Sequence, residues 1–251
     1  KLNDLVNGQI IYIIKKLVLT LFIKKDYDYL LVVGDVVPLF FAWISRKKYF
    51  VYLVAYSSHY EGKLNLPWPC KYILSSSKNQ KIYARDLLTS DDLTLQLGKK
   101  VYFLGNPFMD KLLSMKRKSN NLFSIAFLPG SRIPEVFNNL YLMLDLLEEI
   151  SKYKFFKKIK LNFACINDLE IEKIQRTLNN RNWKFKKGDK NSRRLIYKYG
   201  FIKVQFLWDS FDEILINSDL IISMSGTVAE QAVGLSKPVI QIEGKGPQFT
   251  S

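Results

Sequence analysis

Three stretches of the chain place hydroxyl, glycine, cationic or carboxylate residues where an apolar run gives way to a helical pattern. The first is Ser223-Met-Ser225-Gly226-Thr227, continuing through Glu230 to Lys237-Pro238. An apolar strand ends there on small residues and a helix starts at once. The first amides of a helix lack intrahelical partners and carry partial positive charge, so a phosphate or diphosphate is the natural guest. Small residues at 225 and 226 let such a ligand approach the backbone, and Glu230, one turn in, can accept two hydrogen bonds from a ribose diol. The second stretch is Leu128-Pro-Gly130-Ser131-Arg132, followed by Pro134-Glu135. Its Arg132 can pair with a departing diphosphate and stabilise the charge that develops. The third is Val32-Val-Gly34-Asp35-Val-Val-Pro38, where a carboxylate directly follows an apolar strand. Such a group is a candidate general base for an attacking hydroxyl. Each stretch also has a plain structural reading: a capped strand-to-helix turn, a solvated arginine, and an aspartate capping the next helix.

Composition narrows the chemistry. The chain has 251 residues and a net charge of +15, from Lys+Arg 38 against Asp+Glu 23. Thirty of the cations are Lys and eight are Arg, spread along the chain. Arginine is the usual tool for gripping phosphates and reading bases, whereas lysine is the general solubilising cation. No nucleic-acid partner is expected, and a basic face suits an anionic membrane or phosphate-bearing substrates. One histidine, His59, excludes sites built on paired histidines, and Cys70 and Cys165 are too few for a disulfide framework or a cysteine-rich zinc site. No metal and no cofactor are expected, so carboxylates, hydroxyls, amides and cations must do the work.

The elements that must position these residues alternate between β-rich runs and amphipathic helices, the signature of parallel sheets covered by helices. Strands are expected at 29–33, 49–54, 101–104, 122–128, 159–166, 201–207, 220–224 and 239–242. Helices are expected at 3–25, 38–45, from about 134 onward, 168–180, 209–217 and 227–235, while 57–92 reads as irregular. In the helix after Pro134, Val136, Leu140, Met143, Leu144, Leu147 and Ile150 keep a 3.6-residue period. The lysine-rich stretch 109–121 reads as a linker between a first domain, 1–108, and a second, 122–251. The chain begins at Lys1 and stops within an apparent loop at Ser251, so both domains are expected to be incomplete. Lys15 and Lys16 break one apolar stretch, and Asp35 and Pro38 break another, so no membrane-spanning helix is expected.

Taken in order, Val32 to Phe40, Leu104-Gly105-Asn106-Pro107 to Asp110, Leu128 to Arg132 with Glu135, and Ser225 to Pro238 resemble the lipid-A-disaccharide synthase family, glycosyltransferase family 19, and especially its divergent related branch. Gly244 to Phe249, with Gln248, is similar to the loop that follows in that branch. The resemblance implies a GT-B fold, two Rossmann-like α/β domains facing across a cleft. It also implies an inverting, metal-independent transfer from a UDP-sugar donor to a lipid-linked or other saccharide acceptor, in the cytoplasm with peripheral contact to the inner face of the membrane. It places Asp35 as the base, Arg132 with Gly130 and Ser131 at the diphosphate, Ser225, Gly226, Thr227 and Glu230 around the nucleotide, and Asn106 and Gln248 as further cleft residues. Asn106 stands where the synthases proper usually have histidine. The oligomeric state is left open. One alternative of the same fold is a UDP-N-acetylglucosamine 2-epimerase-like enzyme, which normally uses more acidic and histidine groups at the sugar than His59 supplies. Another is a non-catalytic nucleotide-binding protein.

Overall fold

A computed structural model describes residues 10–22, 27–118, 122–189 and 193–243. It divides into two compact units, Lys1–Pro107 and Phe108–Ser251. In the first, α1 (Ile10–Phe22) precedes β1 (Tyr29–Val33), α2 (Val36–Ile44), β2 (Lys48–Leu53), α3 (Ser58–Glu61), α4 (Trp68–Ser75), β3 (Asn79–Ala84), α5 (Leu87–Leu97) and β4 (Val101–Phe103). The four strands pair in the order β1-β2-β3-β4, all parallel. Val32, Val51, Ile82 and Val101 stand level across them and are buried, the β-branched stack that a parallel sheet uses for its core.

The stretch 57–92, expected to be irregular, instead holds α3, α4, β3 and most of α5. Its loop-like residues are caps and ties. Pro69 sits in the first turn of α4, where its missing N–H costs nothing. Asp86 caps α5 by accepting from the Thr89 N–H at 2.8 Å, and Gly98 closes the same helix in the left-handed region. Asp92 accepts from the Leu64 N–H at 2.8 Å and from the Ser58 hydroxyl at 3.2 Å, pinning the connection that precedes α4.

The second unit begins with a 3-10 turn at Pro107–Met109 and α6 (Asp110–Ser114). Met109 and Leu112 are buried beside Ala126, Leu128, Ile214 and Ile221. Lys111 pairs with Asp212, Arg117 with Asp219 and Lys118 with Glu213. From Met109 to Lys118 the stretch read as a linker is thus packed on this unit, while residues 119–121 lie outside the described ones. Then follow β5 (Ser124–Leu128), α7 (Glu135–Ile150), β6 (Lys160–Cys165), α8 (Ile171–Asn180), β7 (Lys184–Asp189), β8 (Arg194–Tyr199), β9 (Ile202–Trp208), α9 (Phe211–Asn217), β10 (Leu220–Ser223), α10 (Gly226–Gly234) and β11 (Val239–Gln241).

The seven strands lie in the order β11-β10-β5-β6-β9-β8-β7. The run from β11 to β9 is parallel; β8 pairs antiparallel with both β9 and β7. The expected α/β class with Rossmann-like parallel sheets is what the chain forms. The β7–β8 hairpin was not expected, because Lys184-Phe-Lys-Lys-Gly-Asp189 carries almost no apolar residue to signal a strand. It is held by its neighbours, with Leu195 and Tyr197 packing beside Phe206 and Trp183. Helix α7 buries the expected positions Val136, Leu140, Met143, Leu144 and Leu147. It is clamped to the end of α8 by Arg181, which donates to Glu148 at 2.7 Å and also pairs with Asp145.

Two predictions follow from this packing. Leu144→Ala empties a fully buried site and should lower unfolding free energy by about 2–5 kcal/mol, whereas Leu142→Ala, half-exposed on the same helix, should change it by less than about 0.5 kcal/mol in urea unfolding. Burial alone would raise the Glu148 carboxyl, but hydrogen bonds from Arg181 and Trp183 hold it below the usual carboxylate range. A depressed folded value contributes stability that is complete above the unfolded value, about 4.3, and fades as pH falls through the folded one. Denaturation midpoints should therefore drop below about pH 4.5, and Glu148→Gln should lower neutral-pH stability while flattening that decline.

Candidate functional site

Strand β5 has β6 on one side and β10 on the other, although the chain leaves β5 toward β6 and β9 before returning to β10. The connections after β5 and β10 therefore diverge. Open α/β sheets bind ligands in the crevice that such a reversal leaves at the carboxyl ends of the strands.

Both expected strand-to-helix turns of this unit lie in that crevice. Leu128 and Ser223 are register partners, and the Met224 N–H donates to the Leu128 carbonyl at 3.1 Å. Gly130 has φ +97°, a conformation that disfavours any residue with a side chain, and a Cβ there would lie 3.8 Å from Ser225 Cβ. The turn is fixed from behind by Asn139, whose buried side-chain amide donates to the Pro129 carbonyl at 2.9 Å. The Arg132 carbonyl in turn accepts from the Val136 N–H at 2.8 Å in the first turn of α7. Arg132 is left with its backbone held and its side chain exposed.

Ser225 precedes α10 in extended conformation and makes no side-chain capping bond, and no acidic residue occupies the first turn of that helix. The partial positive charge of the helix start is therefore not offset by an acid from the helix itself. Ser223 Oγ accepts from the Ser225 N–H and donates to the Ser225 carbonyl, both at 3.1 Å, which sets the angle at which α10 departs. A Cβ on Gly226 would meet nothing within 4 Å, so the first residue of the helix opens onto free space.

These groups border a cavity of about 460 Å³ that lies wholly within the second unit. Gly130, Ser131, Arg132, Ser225, Gly226 and Thr227 line it together, as the two strand-to-helix turns require. Phe211, Met224, Ile166 and Cys165 give it an apolar wall. Burial pushes the Cys165 thiol well above its usual range, which makes it wall rather than nucleophile. Gln231 closes one side and donates to the Phe108 carbonyl at 3.1 Å.

The other expected residues fall elsewhere. Glu230 lies half-buried one turn along α10 and is not among the lining residues. Asp35 belongs to the first unit, exposed at the carboxyl end of β1, where its carboxylate accepts from the Val37 N–H at 3.1 Å and caps α2. Asn106, also in the first unit, follows Gly105, whose carbonyl accepts from the Tyr52 hydroxyl at 2.6 Å. Gln248 lies outside the described residues. Among the described residues, no group of three His, Cys, Asp or Glu side chains is placed to hold a metal ion.

The cavity also holds a residue not singled out as part of the site. Glu135 opens α7 and lines the cavity, and its buried Oε2 has no hydrogen-bond partner among the described residues. With Asn139 at i+4 it forms one face of the helix turned to the crevice, a spacing already present in the sequence.

No family profile and no curated relative matches the chain. Among solved structures it is similar to a UDP-N-acetylglucosamine 2-epimerase of Neisseria meningitidis bound to UDP-GlcNAc, with 18% identity, a TM-score of 0.52, and coverage of 92% of this chain and 63% of that one. A protein of Listeria monocytogenes assigned the same activity gives 16%, 0.53, and 91% and 60%. A third 2-epimerase gives 17%, 0.51, and 92% and 60%. The chain shares their fold. It spans less than two thirds of the length of these neighbours. The likeness to lipid-A-disaccharide synthases is thereby corrected: the solved neighbours are 2-epimerases, and no profile or relative supports the synthase family or its glycosyl transfer.

Because φ at Gly130 is positive, Gly130→Ala should cost about 1–2 kcal/mol through backbone strain, without crowding Ser225. Gly226→Ala, with open space around it, should unfold close to the parent protein. Paired thermal unfolding curves check both.

Proposed function

We propose that the second unit binds a UDP-sugar in the crevice between β5 and β10, and that the protein acts on a UDP-linked N-acetylhexosamine as a 2-epimerase-like enzyme. The observation that carries this reading is the convergence of Arg132, the Gly130–Ser131 turn and the uncompensated start of α10 on one cavity within a single unit. A guanidinium beside free helix amides suits a diphosphate, which presents several acceptor oxygens and two negative charges. The fold neighbours support the choice of nucleotide and of reaction by what they are named for: they are UDP-N-acetylglucosamine 2-epimerases, and the Neisseria protein is bound to UDP-GlcNAc.

In this reading Arg132 and the amides of Gly226 and Thr227 hold the diphosphate, and they stabilise it most as its oxygen takes the electron pair of the breaking bond to the anomeric carbon. Glu135, whose Oε2 lacks a partner inside the cavity wall, accepts from a sugar hydroxyl or amide.

Calorimetric titration tests the nucleotide. UDP and UDP-N-acetylglucosamine should bind and uridine should not, and Arg132→Ala should weaken UDP about tenfold to a hundredfold, the range for losing a charge-assisted hydrogen bond. Equal binding of UDP and uridine, or no heat with either, would remove the proposal. Proton NMR of UDP-N-acetylglucosamine incubated with the protein alone tests the reaction through appearance of the C2 epimer without any added acceptor.

A further inference from the structure

The end of the second unit opposite the cavity carries an arrangement that nucleotide binding does not explain. Between α7 and β6 the chain makes a 3-10 turn, Lys154–Lys158, whose sequence Lys-Phe-Phe-Lys-Lys is held by one of its two aromatic rings. Phe156 packs against the core, with Phe155 edge-on to it at 5.6 Å and itself 74% exposed. Tyr153 beside it is 58% exposed. The turn between β8 and β9 packs alongside, since the Phe201 N–H donates to the Ser151 carbonyl at 3.0 Å. A Cβ on Gly200 would come within 2.8 Å of that same carbonyl oxygen, so the two turns are in close backbone contact. Phe201 is 39% exposed, and the Lys154 ammonium stands 5.9 Å from its ring. Three aromatic side chains are therefore displayed from firmly held turns.

Lysines gather at the same end of the sheet. Strand register sets Lys184 opposite Lys198 and Lys198 opposite Lys203, and Lys160, one residue before the partner of Val204, stands level with Lys203. Four lysines thus run across four adjacent strands on one face of the sheet, about 5 Å from one to the next. Like charges directly opposite each other repel, and Glu213, which is paired with Lys118 and also feels the charge of Lys160, offsets only one end of the row. Lys157 and Lys158 extend the basic field past the aromatics, and none of these six lysines has an ion pair among the described residues. The nearby acids are engaged: Glu149 with Lys152, Asp145 and Glu148 with Arg181, and Glu213 with Lys118.

We propose that this end of the second unit docks on an anionic lipid bilayer, with Phe155, Tyr153 and Phe201 entering the headgroup region and the lysine field lying over it. Aromatic rings favour that interface, and apolar insertion combined with a basic patch is the pair of signals that peripheral attachment needs. Lone surface lysines would serve solubility; lysines in and beside a turn that displays rigid exposed aromatics complement a surface that is both charged and apolar just beneath. The cavity is kept clear of the membrane. Strand β6 runs from Lys160, at the patch, to Cys165, in the cavity wall, which separates the two by roughly 17 Å at 3.3 Å per residue and leaves the cavity open at the far end.

Co-sedimentation with vesicles tests the proposal. The protein should pellet with vesicles of phosphatidylcholine mixed with phosphatidylglycerol, stay in solution with phosphatidylcholine alone, and be released by high salt. Lys157→Gln with Lys158→Gln should weaken the partition about 25-fold, since each lysine near such a surface is worth about fivefold. Phe155→Ser should weaken it at unchanged charge, and circular dichroism should show all variants folded. Equal binding to both vesicle types, variants that bind like the parent, or tighter binding of a thymidine oligonucleotide than of the anionic vesicles would overturn it. UDP binding is read separately and is unaffected by either variant.

Discussion

The second unit depends on a single strand, β5. All five of its residues are buried, it pairs on both edges, and it carries helices on both faces of the sheet. A parallel strand in that position must be apolar along its whole length, which Ser124-Ile-Ala-Phe-Leu128 nearly satisfies. Its single polar side chain, Ser124, is met by Asn162, whose amide lies 3.1 Å from the hydroxyl. Because the chain leaves β5 on one side and returns on the other, the turns after β5 and β10 must separate, and the cavity is the space between them. The candidate site is thus a consequence of strand order before it is a consequence of any one residue.

Packing then decides what that space offers. Gly130 supplies the positive φ of its turn, Asn139 fixes the turn from behind, and Ser223 fixes the departure of α10. All three act through backbone atoms, which leaves Arg132 and the first amides of α10 available to a ligand. The lower end of the same sheet is built on a different principle. Its turns are held by Phe156, Gly200 and Ser151, while charged and aromatic side chains point outward. One end of the sheet forms a hollow and the other a surface, as strand ends that differ in helix starts and in lysine content would.

Much of this was legible residue by residue. The helix after Pro134, the strand at 29–33 and both strand-to-helix turns follow from periodicity and from small residues at strand ends. The stretch 57–92 was not legible, because Asp86, Asp92 and Ser58 look like loop residues until their partners on distant segments are known. The β7–β8 hairpin was hidden for a related reason. Its lysines face solvent and give no alternation that local pattern could detect. The family resemblance misled where motif order was taken for identity: the same turns recur wherever a Rossmann-like unit holds a nucleotide, and the solved neighbours are 2-epimerases.

The sequence by itself determined the α/β class, the two strand-to-helix turns of the second unit and the lysine-rich charge, since all three rest on residue types and short spacings. Only the tertiary structure decided that Gly130 to Arg132 and Ser225 to Thr227 share one cavity, and that Asp35 and Asn106 belong to another unit. It also gathered Lys160, Lys184, Lys198 and Lys203 into one row. Those outcomes depend on strand order and register, which join residues dozens of positions apart through backbone pairing, and no local pattern of side chains encodes that pairing.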